Sequence, residues 1–124
     1  VWTALDELGA DRIGHGIRAV EDPALVDRLV ASRVPLEVCP TSNLRTGVVT
    51  SWTAHPVVAL IERGAYVTIN SDDPTYFGCS LAGELRQVAA LTTLGLATAT
   101  RAAIDASFAD GAWRSRLHRL VARA

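Results

Sequence analysis

The alternation of short apolar segments with amphipathic segments is the feature that most constrains how this chain can fold. Three apolar runs, within residues 12–16, 36–39 and 65–70, have the aliphatic and β-branched composition of buried strands. The segments between them carry apolar residues at helical spacing, beginning with the stripe at Leu25. Because strands separated by about 20–30 residues with intervening helices form parallel βαβ units, the sequence predicts an α/β fold with three parallel strands.

Local signals also predict where several helices begin and end. Asp22 followed by Pro23 is typical of a helix N-cap, and Asp110 is predicted to cap the last helix. Another helix is expected to begin near Pro56 and to end at Gly64. Residues 41–43, which follow Pro40, are predicted to form a loop.

Polar residues follow each predicted strand at the point where it ends. They are His15, then Thr41-Ser42-Asn43, then Ser71-Asp72-Asp73. Because the carboxyl ends of parallel strands lie on one face, we expect these loops to meet at one site. Three strands fit either a small open sheet, which the length of 124 residues favours, or part of an eight-stranded (β/α)₈ barrel, which this placement of polar residues favours.

The adjacent carboxylates Asp72 and Asp73 are the strongest local signal of chemistry. Two neighbouring carboxylates repel each other and stay ionised most easily near a cation or strong hydrogen-bond donors. One can therefore ligate a metal while the other binds a substrate; the alternative is a turn in which Asp73 caps the next helix. His15, between two glycines, is a candidate ligand, base or electrostatic stabiliser, or a simple donor to a nearby carbonyl, whereas His55 is predicted to cap the helix after Pro56.

Charge and cysteine content exclude several classes of partner. The net charge is −1 and all twelve basic residues are arginines, which gives no electrostatic reason to expect nucleic acid or an anionic membrane. Cys39 and Cys79 are far apart, which argues against a disulfide framework and favours a reducing cytoplasm, with Cys39 as a structural thiol. No apolar run reaches the roughly 18–20 residues of a membrane span, and nothing resembles a signal peptide.

Four segments in this order resemble the adenosine deaminase family of metal-dependent hydrolases. They are Arg12-Ile13-Gly14-His15-Gly16, Leu36-Glu37-Val38-Cys39-Pro40-Thr41-Ser42-Asn43, His55-Pro56 and Val67-Thr68-Ile69-Asn70-Ser71-Asp72-Asp73-Pro74. The resemblance extends over residues 1–124, as one partial domain. It implies the last three βα units of a (β/α)₈ barrel that binds one catalytic zinc ion.

The resemblance also implies roles for individual residues. Asp72 matches the carboxylate ligand of the zinc ion, and Asp73 matches the neighbouring aspartate that hydrogen-bonds the purine. His15 matches the histidine that positions and stabilises the attacking hydroxide. The supporting positions behind them are Ser42, Asn43 and His55.

Part of the family pattern is absent from this sequence. The resemblance implies a His-x-His pair, a further histidine ligand and a catalytic glutamate on earlier strands, and residues 1–124 contain none of them. We therefore expect the 124-residue chain to be inactive by itself, with activity in a longer parent or in a complex that restores the missing strands. Exposed sheet edges and apolar helix faces would also allow the chain to form oligomers.

The expected reaction is the conversion of adenosine to inosine and ammonia, with adenine or aminofutalosine as alternative substrates. Residues 73–78 are typical of adenine deaminases, whereas residues 40–47 favour adenosine and aminofutalosine deaminases. Two other classes of function stay open: a non-catalytic truncated barrel module, and a metal-free hydrolase that uses Asp72 and Asp73 as an acid/base pair. The last is the least favoured, because no Gly-x-Ser-x-Gly nucleophile motif is present.

Overall fold

The computed structural model describes residues 1–123, which form one parallel three-stranded sheet surrounded by helices. The strands are β1 (Ile13–Gly14), β2 (Leu36–Val38) and β3 (Val67–Ile69). They lie in the order β1-β2-β3, and both pairs are parallel, which confirms the predicted α/β organisation. The helices are α1 (Trp2–Asp6), α2 (Pro23–Ser32), α3 (Pro40–Arg45), α4 (Val57–Glu62), α5 (Pro74–Phe77), α6 (Leu81–Leu91), α7 (Leu96–Ala106) and α8 (Gly111–Val121), and 3₁₀ turns cover Ile17–Glu21 and Trp52–Ala54.

The core forms where the sheet packs against the helices between its strands. Leu36 and Val38 of β2 are fully buried, as are Leu29 of α2 and Leu60 of α4. Leu36 and Val38 share one face of β2, whereas Glu37 between them points to the other face, is partly exposed and pairs with Arg12. All three residues of β3 are buried, as expected of a strand that is covered on both faces. This packing places the carboxyl ends of the three strands side by side. Within residues 1–123 no helix combines the length and apolar character that crossing a bilayer requires.

Two predicted helix caps are confirmed. The Asp22 carboxylate accepts hydrogen bonds from the backbone N–H groups of Ala24 and Leu25 at 3.0 and 3.2 Å, and α2 begins at Pro23. The Asp110 carboxylate accepts from the N–H of Trp113 at 2.8 Å. These helix starts could be predicted from the sequence because a capping side chain bonds to a backbone group only two or three residues away.

The prediction of a loop at residues 41–43 is wrong, because these residues lie within helix α3. No side chain next to α3 caps its first turn. The N–H of Thr41 instead donates to Glu84 Oε2 at 2.9 Å, and Glu84 comes from α6, 43 residues along the chain. A distant carboxylate thus supplies the acceptor that the local sequence lacks.

The turn after β1 depends on Gly16. His15 and Gly16 both have positive φ angles, 53° and 65°, and the chain turns sharply there. A Cβ added to Gly16 would lie 2.7 Å from Leu36 Cδ2, which is too close for real contacts. The turn therefore requires a glycine for its backbone angles and for the lack of a side chain.

We expect Gly16→Ala to destabilise the fold more than Gly47→Ala does. Gly47 also has a positive φ of 74°, but an added Cβ would meet nothing within 4 Å. The pair therefore shares backbone strain and differs in the clash with Leu36, which costs about 1–3 kcal/mol as overpacking. Urea unfolding of both variants measures the difference, and equal losses would show that Leu36 moves aside without cost.

Candidate active site

Polar side chains from three separate segments come together at the carboxyl ends of the strands. His15 follows β1, Ser42 and Asn43 lie in α3 after β2, and Asp72 follows β3. His15 Nε2 lies 3.7 Å from Asp72 Oδ2. The expected convergence of these three segments is confirmed, although the middle one is a helix and not a loop.

Asp72 is held in place by a short hydrogen bond. Ser42 Oγ donates to Asp72 Oδ2 at 2.6 Å, and Asp72 has a positive φ of 58°. Its other oxygen, Oδ1, accepts no hydrogen bond from residues 1–123. One carboxylate oxygen is therefore fixed by the protein, and the other is available to a ligand.

His15 is anchored through its second ring nitrogen. Nδ1 lies 3.1 Å from Asn43 Nδ2, so Nε2 is the nitrogen that faces Asp72. The positive φ of His15 is uncommon for a residue with a side chain, as is that of Asp72. Such conformations are concentrated at functional sites, where the surrounding structure holds them in place.

His55 lies beneath these residues and is 2% exposed. Its Nδ1 accepts from the N–H of Val57, the first residue of α4, at 3.0 Å, so the side chain bonds the start of the helix as predicted, although Pro56 is the N-cap residue. Its Nε2 lies 3.3 Å from Asn43 Oδ1, so it also contacts the site. Burial lowers the pKa of His55 from its ordinary 6.5 to about 4, and the ring is therefore neutral near pH 7.

This lowered pKa predicts that acid destabilises the fold through His55. Between pH 6.5 and about 4, unfolded His55 binds a proton that folded His55 does not, so stability falls as the pH falls through this window. The contribution has a limiting slope of about 1.4 kcal/mol per pH unit. Urea unfolding at several pH values should show this slope in the wild type and a smaller one in His55→Gln, and identical slopes would contradict it.

Asp73 occupies a different position from Asp72. Its Oδ1 accepts from the N–H of Tyr76 at 2.8 Å, so Asp73 caps α5, which is the alternative that the Asp-Asp-Pro sequence left open. Its side chain is exposed. Contact between Asp73 and a purine stays a prediction.

A cavity of about 530 Å³ opens beside His15 and Asp72. Apolar side chains, among them Ile17, Val48 and Phe77, form much of its wall. An apolar cavity with a few convergent polar groups is the usual form of a site for a small organic ligand.

The side chains at this edge fit part of a metal shell. His15, Cys39 and Asp72 each offer a ligand atom, and these atoms lie within 4.8 Å of one another. Burial, with the nearby Asp72 carboxylate, raises the pKa of the Cys39 thiol to about 11, so the thiol is protonated near pH 7. The structural role of Cys39 stays a prediction. Carboxylate oxygen and imidazole nitrogen are ligands that zinc accepts, but a catalytic zinc site needs about three protein ligands.

The role of Glu84 is not apparent from the sequence. This residue is 2% exposed, and its carboxylate accepts from Thr41 at the start of α3, the helix that carries Ser42 and Asn43. In the sequence it is an acidic residue in the first turn of a helix, which is common for reasons of helix polarity alone. Only the pairing with a distant segment reveals its role.

We expect Glu84→Ala to destabilise the protein by about 1.5–3 kcal/mol, because it removes a buried charged acceptor and leaves the Thr41 N–H unpaired. Glu84→Gln keeps an acceptor oxygen and should lose less. Urea unfolding of both variants, with Glu62→Ala as an exposed control on α4, provides the measurement. Equal unfolding free energies for Glu84→Ala and Glu62→Ala would contradict the role of Glu84.

Comparisons with known proteins identify the family of this chain. The sequence profile of the adenosine deaminase family matches residues 1–124. The chain is 50% identical to an adenine deaminase from Rhodospirillum rubrum and 46% identical to an aminodeoxyfutalosine deaminase from Streptomyces avermitilis. These matches cover 98% and 94% of this chain but only 37% and 34% of the relatives.

The structure leads to the same family. It matches the crystal structure of adenine deaminase from Arthrobacter aurescens with a TM-score of 0.91 and 39% identity, over 98% of this chain and 38% of that one. The three-stranded sheet is therefore a portion of a (β/α)₈ barrel and not a small open sheet. The chain spans just over a third of the length of these relatives and belongs to the adenosine deaminase family.

Proposed function

We propose that the chain supplies the β1–β3 side of the active site of a zinc-dependent purine deaminase. The observation that carries this proposal is the position of His15 Nε2, 3.7 Å from Asp72 Oδ2, at the carboxyl ends of parallel strands. In a barrel of this kind, that edge is where reacting groups are held.

Asp72 and His15 have different roles in the proposed reaction. A zinc ion in such a site lowers the pKa of a water molecule towards about 7 and so supplies hydroxide at neutral pH. Asp72 would provide one carboxylate ligand, oriented by the hydrogen bond from Ser42. His15 would stabilise negative charge on the oxygen that adds to the purine carbon bearing the exocyclic amine. In the net reaction, a C–O bond to the oxygen of water replaces the C–N bond to the amine; one proton of the water leaves with the amine as ammonia and the other is taken up by the ring nitrogen.

The substrate proposed is a 6-aminopurine, with adenine ahead of adenosine. The apolar wall of the cavity suits a planar base, and Asp73 would hydrogen-bond the ring from the start of α5. The names of the Rhodospirillum and Arthrobacter relatives support adenine, and the Streptomyces relative keeps aminodeoxyfutalosine as the alternative. The adenosine reaction expected from the sequence is the third candidate.

Activity in this proposal requires strands beyond those of this chain. Within the described residues, β1 and β3 each pair only with β2, so each leaves one edge for a further strand. Asp72 alone supplies too few metal ligands for a catalytic zinc site. We therefore propose that the 124-residue chain is inactive by itself and that the full-length protein is the deaminase.

Ammonia release by the zinc-loaded full-length protein tests the function. Adenine, adenosine and aminodeoxyfutalosine should be compared at equal concentration, with the 124-residue chain and a chelator-treated sample as controls. We expect turnover of adenine above the other two, loss with the chelator, and none from the chain alone. Lack of turnover on all three purines would favour a non-catalytic barrel module, and turnover by the chain alone would refute the need for further strands.

A further inference from the structure

A line of hydrogen bonds with a fixed direction leads from the backbone to His15. It starts at the N–H of Val57, which can only donate, and which lies 3.0 Å from His55 Nδ1. His55 Nδ1 must therefore accept, so the proton of the neutral ring resides on Nε2. The low pKa that burial gives His55 supports the neutral form.

The orientation of the Asn43 amide fixes the next hydrogen bond, which joins Asn43 to His15. His55 Nε2–H donates to Asn43 Oδ1 at 3.3 Å, which leaves Asn43 Nδ2 to donate to His15 Nδ1 at 3.1 Å. The opposite orientation of the Asn43 amide would place its N–H group against the N–H of His55. Asn43 and His55 are 4% and 2% exposed, so burial protects this order from exchange with solvent.

We propose that Asn43 and His55 are positioning residues that hold His15 in the tautomer with its proton on Nε2. Which nitrogen of a histidine carries the proton is set by the hydrogen bond that the other nitrogen makes. Here Nδ1 is occupied as an acceptor, so Nε2 presents an N–H donor towards Asp72 Oδ2. The assignment of the tautomer follows from the contacts alone.

The catalytic consequence rests on the proposed deaminase function. An N–H donor stabilises negative charge on an attacking hydroxide, whereas the other tautomer would direct a lone pair at that charge. His15 in this form is a stabiliser and not a general base. Asn43 and His55 would thus affect the reaction by setting which nitrogen of His15 carries the proton, without touching the substrate.

The Asn43→Asp substitution tests the direction of the hydrogen bonds to His15 with little change in the shape of the side chain. A carboxylate at position 43 accepts from both imidazoles, so the proton of His15 should move to Nδ1. Nitrogen-15 NMR of histidine-labelled, zinc-loaded full-length protein distinguishes the two tautomers through the ring nitrogen shifts. We expect Nε2–H in the wild type, Nδ1–H in Asn43→Asp, and a fall in kcat of about 10–100-fold, with unchanged zinc content and KM.

Two substitutions of His55 separate positioning from helix capping. His55→Gln places an amide N–H near the former Nε2 and should keep the tautomer of His15 and most of kcat. His55→Asn keeps an acceptor for the Val57 N–H but loses the donor, so it should lose the tautomer and lower kcat. A purely structural role for His55 predicts the reverse order.

The outcomes distinguish this inference from the proposed function. A wild-type His15 protonated on Nδ1, or an Asn43→Asp variant with an unchanged tautomer, would overturn the inference. A wild type that shows Nε2–H but releases no ammonia from any purine would leave the tautomer assignment standing and remove the deaminase function. If Asn43→Asp fails to fold, the wild-type spectrum and the His55 pair decide the question.

Discussion

Asp72→Asn is expected to lower kcat/KM of the full-length protein by more than about 10³-fold, because a metal ion contributes several kcal/mol of transition-state stabilisation. Asparagine keeps the size of the side chain and an oxygen that can accept from Ser42 Oγ. It lacks the negative charge that binds a divalent cation. The zinc content, measured by elemental analysis, should fall together with ammonia release.

Asp110→Asn is the matched control for this substitution. Asp110 is the N-cap of α8, away from the strand ends, and asparagine caps helices as well as aspartate does. Zinc content and turnover should therefore stay at wild-type values. An Asp72→Asn protein that keeps its zinc and retains activity within about tenfold of wild type, a difference of only 1.4 kcal/mol, would show that Asp72 is not a ligand.

His15→Ala is expected to lower kcat by about 10²–10³-fold, the usual cost of losing one donor that stabilises developing negative charge. Unlike the substitution of Asp72, it should leave the zinc content unchanged, because His15 is proposed to act on the attacking hydroxide. Steady-state kinetics and elemental analysis on the same preparations separate the two roles.

His118→Ala provides the control for removing an imidazole. His118 lies on α8, where Nε2 contacts Asp105 at 2.7 Å, and it takes no part in the site. It should leave kcat and KM unaltered. Loss of zinc from His15→Ala would contradict the proposed role and make His15 a metal ligand, which its distance to Asp72 would also permit.

The sheet and several helix boundaries were predictable because their signals are local. The segment that forms β3 is typical of a strand covered on both faces, and the caps Asp22 and Asp110 bond within three residues of themselves. The meeting of His15 with Asp72 was also predictable, since parallel strands bring their carboxyl ends together.

Long-range pairing explains what the sequence did not reveal. Helix α3 contains proline, threonine, serine and asparagine, which favour turns, and the N–H of Thr41 in its first turn finds its acceptor on Glu84 of α6. In the same way, His55 was predictable as a cap but not as a partner of Asn43. Neither the contact of Glu84 with Thr41 nor that of His55 with Asn43 produces a periodic pattern or a motif of adjacent residues in the sequence.

The left-handed backbone of His15 and Asp72 has a consequence for protein engineering. Glycine adopts that conformation without strain, so substitution by glycine at either position is expected to relax the backbone while it removes the reacting group. A library screened only for heat tolerance would therefore favour sequences that have lost their chemistry at these two positions. Selection for durability and selection for turnover would drive this part of the chain in opposite directions.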